Sequence, residues 1–541
     1  MNFYPLRIRC LIGYALGVVV WSIMIMPVRA GDESLVDLAQ HHASTLRFST
    51  LFTAQNVRQF LRTPEGIAEA IQWCRETAVT HVYLETFRDG YMVDRDVIVN
   101  AKQRLTEAGF IVSGCVTTTG IGRKAVNGWS FPCFTEKAGR ERLKQIFEFT
   151  AGLFDEIMID DFFATQCECE ECKQARGDRS WSAFRNNLLM DVSRQDILEP
   201  ARRVNPNVKV IIKYPQWYEE FHERGYDVVR ETEAYDKIWV GTESRDWDDP
   251  RWGGRSPYMS YFIMRWLGGI GGAKCGGGWF DPYGTSPPTY LEQARQTVLA
   301  GAKEAFLFCY GSLVEQNGPA NIEALRGEIP ALFQLAELVK GQKVEGICAL
   351  KPPNSDGDGN RYLYDFVGIL GLPLAPASRI DPDAQAYFFP YQAGKDPQAL
   401  EALRAGISSG KPTLVTQQFA EQYLKGNEPK AAGVIILDVT RDAWPLMNLN
   451  AETLQPIRDA MLRPFGMEFE APTRVSLYLF GNSLVVIENF NDRPVDVRLK
   501  RTNVSTPAVT LAMPAESNSM KANGDNTRLK ILARSLVVLN Y

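Results

Sequence analysis

The stretch DEIMIDDFFATQCECEECKQ, residues 155–174, decides how the chain reads. It begins as a short apolar run that ends in two adjacent acids, Asp160 and Asp161. A buried β-strand looks like this, apolar through its length and polar where it leaves the sheet. A few residues on, three cysteines fall in the pattern C-x-C-x-x-C, at Cys167, Cys169 and Cys172. The acids therefore stand at the end of a strand, and the cysteines in the loop that follows.

Seven similar runs flank this one. In chain order with it they are LRFSTLF, HVYLETF, FIVSGCVTT, DEIMIDDF, VKVIIKY, KIWVGTES, AKCGGGWF and EAFLFCYGS. Amphipathic stretches separate most of them. Ile67, Ile71 and Cys74 recur at helical spacing, as do Leu143, Ile146 and Phe147, and Leu332, Leu335 and Val339. Eight strands alternating with helices over about 300 residues predict a (β/α)8 barrel at 45–342. Its seventh strand, with Gly276, Gly277 and Gly278, is poor strand sequence. After Gly341 the alternation restarts on a smaller scale, which predicts a doubly wound α/β domain at 343–465. Short alternating β runs from about Thr473 predict a β-sandwich over 470–541.

Composition narrows the function. The 541 residues are 45% hydrophobic and 23% charged, with a formal charge of −5. That is globular and has no basic block for nucleic acid. Arg7 and Arg9 precede an apolar run, and Val28 and Ala30 stand at −3 and −1 of a cut before Gly31. Residues 1–30 thus read as an export signal, with an uncleaved anchor as the alternative. The mature chain is expected to be periplasmic or extracellular and free of the membrane.

Chemistry in a (β/α)8 barrel sits at the C-terminal strand ends. Those positions carry Glu85 and Arg88 after strand two, and Asp160 and Asp161 after strand four. Strand five supplies Lys213, Tyr214, Gln216 and Trp217, and strand six supplies Glu243 and Arg245. Trp279, Phe280 and Asp281 end strand seven, and Tyr310 follows strand eight. Carboxylates interleaved with aromatics suit a sugar, whose ring stacks on aromatic faces and whose bond is cleaved by two carboxyl groups. Each acid taken singly fits a salt bridge or a helix cap equally well. Other chemistries lack their residues: the four histidines sit beside no nucleophile at a strand end, and there is no G-x-S-x-G and no P-loop.

Three thiolates leave tetrahedral zinc one ligand short. SFPCFTE supplies Cys133 in the loop after strand three, next to the loop of the other three. Four cysteines predict a closed, structural zinc site. Disulfides are the alternative, though a C-x-C bridge is geometrically awkward.

These features resemble glycoside hydrolase family 42, the β-galactosidases. The shared elements are C-x-C-x-x-C after strand four followed by an aromatic-Arg helix (here SWSAFRNNLL), a further cysteine after strand three, and the order barrel, α/β domain, β domain. The segment YLEQARQTVLAGAKEAFLFCYGSL is similar to that family's seventh helix and eighth strand. The resemblance implies zinc on the four cysteines and a homotrimer built through the α/β domain. It puts Asp161 on the acid/base position, where the family has Glu. The family's nucleophile is a Glu at the end of strand seven, where Asp281 is the nearest carboxylate. Two shorter side chains would move the pair towards the wider inverting separation. The expectation is an exported glycoside hydrolase, with Asp161 as acid and Asp281, or failing it Glu243, as nucleophile or base. Asp160 would raise the Asp161 pKa by like-charge repulsion. The rival readings are a non-catalytic carbohydrate-binding barrel, or a polysaccharide lyase using Tyr214 or Lys213 as base.

Overall fold

The computed structural model describes residues 34–541 apart from 127–129, 248, 250, 252–253, 360, 427, 440–441, 503, 505, 516–518 and 524–525. The expected export segment lies outside the described residues. Among the described residues, no helix is long and apolar enough to cross a membrane.

Eight parallel strands form a closed ring: β1 Arg47–Phe52, β2 Val79–Arg88, β3 Ile111–Val116, β4 Glu156–Ile159, β5 Lys209–Tyr214, β6 Lys237–Gly241, β7 Cys275–Phe280 and β8 Glu304–Leu307. β1 pairs with both β2 and β8, which closes the barrel. Seven of the eight lie inside the runs read from the sequence, and β2 extends beyond HVYLETF by two residues before it and one after. Helices alternate with them, including Pro64–Glu76, Lys137–Ala151 and Gly318–Val339, which bury the apolar faces read above.

One residue from each strand fills the interior: Leu51, Tyr83, Cys115, Met158, Ile211, Trp239, Trp279 and Phe306 pack as one cluster. Side chains alternate along a strand, so residues two further on face the same lumen one layer nearer the mouth. That next layer is Glu85, Thr117, Asp160, Lys213, Gly241, Asp281 and Phe308. The step of two thus supplies the floor of the mouth, including the carboxylates Glu85, Asp160 and Asp281 and the cation Lys213.

The glycines of β7 have a packing cause. A Cβ on Gly276 would lie 2.9 Å from the Trp239 indole nitrogen, and one on Gly277 would lie 2.8 Å from its Cζ3. Trp239 of β6 fills the space that side chains on β7 would need.

A second sheet is entirely parallel: β9 Ile347–Leu350, β10 Leu374–Ala377, β11 Tyr387–Phe389, β12 Thr413–Thr416 and β13 Val434–Leu437. Its order, β10-β9-β11-β12-β13, is the doubly wound order with a switch point between β9 and β11. Two antiparallel sheets complete the chain, one of five strands and one of four. The short strand Val344–Glu345, which leaves the barrel, pairs with Val475–Phe480 in the five-stranded sheet.

Candidate active site

Three cations at the barrel mouth are each held by carboxylates. Arg88 donates through Nε to Glu85 Oε2 at 2.8 Å and through a terminal nitrogen to Asp160 Oδ2. The Thr117 hydroxyl lies 2.5 Å from Glu85 Oε1 and 3.0 Å from Asp160 Oδ2. Glu85 also accepts from the Ala54 N–H at 2.7 Å, so its oxygens are occupied on every side. Arg245 clasps Asp281 with two contacts, 3.2 and 2.7 Å. The Tyr283 N–H donates to the same carboxylate at 3.1 Å. Glu85, Asp160 and Asp281 are thus saturated by neighbours.

The third cation, like Arg88, bridges two carboxylates, but these are not saturated. Lys213 Nζ lies 2.6 Å from Asp161 Oδ1 and 2.9 Å from Glu243 Oε1, and stands 4.0 Å over the Trp279 ring. One ammonium therefore joins two carboxylates, whose oxygens are no further apart than those two contacts laid end to end. That limit lies below the roughly 6.5–9.5 Å separation of an inverting glycosidase pair. Glu243 Oε2 is buried and has no hydrogen-bond partner among the described residues. Gly241 is needed beneath it, because a Cβ there would lie 2.5 Å from that oxygen and 2.8 Å from the Gln216 nitrogen.

Burial pushes the Asp161 carboxyl up to about 7, with Asp160 and Glu243 adding to the rise and Lys213 opposing it. Burial likewise raises Glu243, against Lys213 and with help from Asp281. For Lys213, burial favours the neutral form, but Asp161 and Glu243 overcome it and hold the ammonium above its usual range.

Aromatic rings flank the acids. Trp279 stacks on Phe306 and Phe308, with centroids 4.2 and 4.8 Å apart. Tyr283, 39% exposed, meets Phe308 edge-on and hydrogen-bonds Ser312 at 2.6 Å. On another wall Trp217 packs with Phe131 and Phe162, and the Arg224 guanidinium lies 4.6 Å from its ring. Gln216 is buried beside them.

Two sequence expectations fail. Tyr214 is one residue from Lys213, so the alternation of the strand turns it out of the lumen. Its ring packs against Phe221 and Tyr226, and its hydroxyl meets Thr232 at 3.2 Å. Tyr310 opens the helix Tyr310–Val314, and its ring lies among Phe52, Phe60 and Trp73. Neither faces the mouth. Sequence reasoning missed Thr117, Tyr283 and Phe308. Thr117 and Phe308 were findable by stepping two residues from the core layer; Tyr283 sits in a loop that carries no such period.

Cys133, Cys167, Cys169 and Cys172 converge, with all four Sγ atoms within 4.8 Å of one another. Cys133 Sγ lies 3.7 Å from that of Cys169 and 3.8 Å from that of Cys172. Those gaps are far too long for a disulfide bond. Four sulfurs at 2.3 Å from a tetrahedral zinc would stand about 3.8 Å apart, so the donor set fits that ion. Arg123 points a terminal nitrogen at Cys133 and Cys169, 3.5 and 3.4 Å away, where it would offset thiolate charge. The helix Trp181–Val192 holds the loop in place: Arg185 donates to the Gln166 carbonyl and to Glu168.

The family model described as "Probable glycosyl hydrolase, catalytic domain" matches residues 33–356, and "Probable glycosyl hydrolase, C-terminal domain" matches 466–531. The chain belongs to this glycosyl hydrolase family. An uncharacterized protein of Saccharolobus solfataricus is 28% identical over 352 residues, 59% of this chain. That match spans 58% of the relative's own length. Among solved structures, a catalytic mutant of a GH42 β-galactosidase from G. stearothermophilus is similar at TM-score 0.59 and 10% identity, over 92% of this chain and 98% of that one. Alpha-L-fucosidase isoenzyme 2 from Paenibacillus thiaminolyticus gives TM-score 0.59 at 9% identity, over 92% and 99%. At these identities the likeness is one of fold.

Proposed function

We propose that the protein is an exported glycoside hydrolase that cleaves O-glycosidic bonds of oligo- or polysaccharides with Asp161 and Glu243. The observation that carries this reading is the pair of carboxylates held by one lysine ammonium at the barrel mouth. Asp161, raised to about 7, is about half protonated in neutral solution, and that form protonates the leaving oxygen. Lys213 favours the ionised form of Glu243 against burial, and the carboxylate attacks the anomeric carbon. The glycosyl ester that forms is then hydrolysed by water, with Asp161 now taking the proton. Asp281, clasped by Arg245, is left a positioning role. The Asp161–Glu243 pair favours retention of anomeric configuration, in place of the wider inverting geometry expected for Asp161 with Asp281.

The lyase reading loses its base on both counts, since Tyr214 faces away from the mouth and Lys213 is held protonated. Zinc on the four cysteines would tie the loops after β3 and β4 together beside Asp161, with no open position for chemistry. The test is turnover of a panel of nitrophenyl glycosides and plant and marine polysaccharides, with the product anomer read by proton NMR. Binding without turnover across the panel would favour the non-catalytic carbohydrate-binding barrel.

A further inference from the structure

In a free-standing doubly wound domain, the crevice at the strand C-termini by the switch point is where a ligand binds. Here that crevice, between the loops after β9 and β11, is filled by the barrel's own loop after β5. Four of five consecutive positions in that loop reach into it. The Tyr218 hydroxyl donates to Asp365 Oδ1 at 2.7 Å. Glu219, fully buried, faces Lys351 Nζ at 3.4 Å and accepts from Gln392 Nε2 at 3.1 Å. Glu220 accepts from Arg361 at 2.5 Å, and His222 Nε2 lies 3.3 Å from Asp356. Lys351 directly follows β9, and Gln392 stands just after β11. The Lys351 ammonium also donates to the Ser355 carbonyl at 2.9 Å, and its own carbonyl accepts from the Trp266 indole at 2.8 Å.

The loop so held carries Gln216 and Trp217, the wall of the candidate active site, near its start, and the Gln216 backbone backs Gly241 beneath Glu243. We propose that the α/β domain has given up its crevice to act as a clamp on this wall, and that Lys351, through Glu219, is a positioning residue that sets Trp217 for sugar binding. The inference rests on the proposed glycosidase reading for what the wall binds. The clamp itself is measurable without turnover.

The experiment compares the full chain with Lys351→Met and Glu219→Gln, using hydrogen–deuterium exchange by mass spectrometry and kinetics on whichever nitrophenyl glycoside the wild type cleaves. The expected result is a rise in exchange of tenfold or more confined to 215–225, with KM raised about tenfold and kcat within threefold. Partial rescue by Lys351→Arg is expected as well. Unchanged exchange in 215–225 would overturn the clamp, as would a uniform rise across the chain in both variants. A local rise in exchange with KM unchanged would overturn the role of Trp217. If the wild type cleaves no glycoside, the proposed function fails, while the exchange result still decides the clamp and binding of the polysaccharide panel replaces KM.

Discussion

Lys213 and Lys351 are both fully buried, both close a parallel strand at its C-terminal end, and both face a glutamate from a neighbouring loop. Lys213 answers to two carboxylates, Asp161 and Glu243, so its charge is over-compensated and its pKa rises. Lys351 has one buried carboxylate within reach, and burial lowers its pKa despite Glu219. At the barrel mouth the second carboxylate, Asp161, remains partly exposed and carries a raised pKa, so a proton is available to a ligand. At the α/β crevice the pair is sealed on all sides and only holds two parts of the chain together. Strand ends supply polar groups in both places; the number of acids per lysine and their access to solvent separate a site from a joint.

That contrast breaks most sharply at Glu243. Glu243→Gln should lower kcat by about 10³-fold or more while the fold survives, since it removes the nucleophile. Asp161→Asn should cost about 10²–10⁴-fold. Turnover near the wild-type rate in either variant would end the assignment of that residue.

The pH profile follows from the same pair. Asp161 must be protonated, so kcat/KM should fall as pH rises through about 7. Glu243 must be ionised, and its raised pKa places the acid limb above the ordinary carboxylate range. Lys213→Met removes the charge that holds Asp161 down, so the alkaline limb should move up, with a loss of about tenfold or more in rate. A limb that stays put would show that Asp161 does not set it. The stability sign runs the same way. A carboxyl whose folded pKa is raised weakens the fold as pH climbs from its unfolded value, near 3.9, to about 7. Asp161→Asn should therefore raise Tm by a few degrees at pH 8 and change it little at pH 4.

Smaller effects test the cysteines. Purified protein should carry one zinc per chain by atomic emission, and chelation or Cys133→Ser should lower Tm by several degrees. A chain purified free of metal, with full stability and all four thiols reactive, would count against zinc. The smallest effect belongs to Tyr214→Phe and Tyr310→Phe, each expected within twofold in kcat/KM. A tenfold loss in either would return that tyrosine to the mouth.

Much of this was legible in one dimension. Strand endings in acid and runs of period two or 3.6 are local properties of the chain, so the eight strands and the ring of acids could be read directly. The spacing of Cys167, Cys169 and Cys172 marked a metal-type cluster for the same reason. The parity of Tyr214 was also available, but only after one interior residue on β5 was known, and single-strand sequence does not say which face is inside.

What the sequence determined by itself was the order of elements and the kinds of side chain at their ends, because these depend on neighbours in the chain. Only the tertiary structure decided which carboxylates share a cation. Asp281 could be singled out by its place at the end of β7, yet Arg245 occupies it, and Glu243 instead joins Asp161 through Lys213. Two of the three glycines of β7, Gly276 and Gly277, are set by Trp239 of the neighbouring strand, and the closed crevice of the α/β domain depends on a barrel loop more than a hundred residues away. Ion pairing and packing are set by distance in space, which the linear order of residues does not contain.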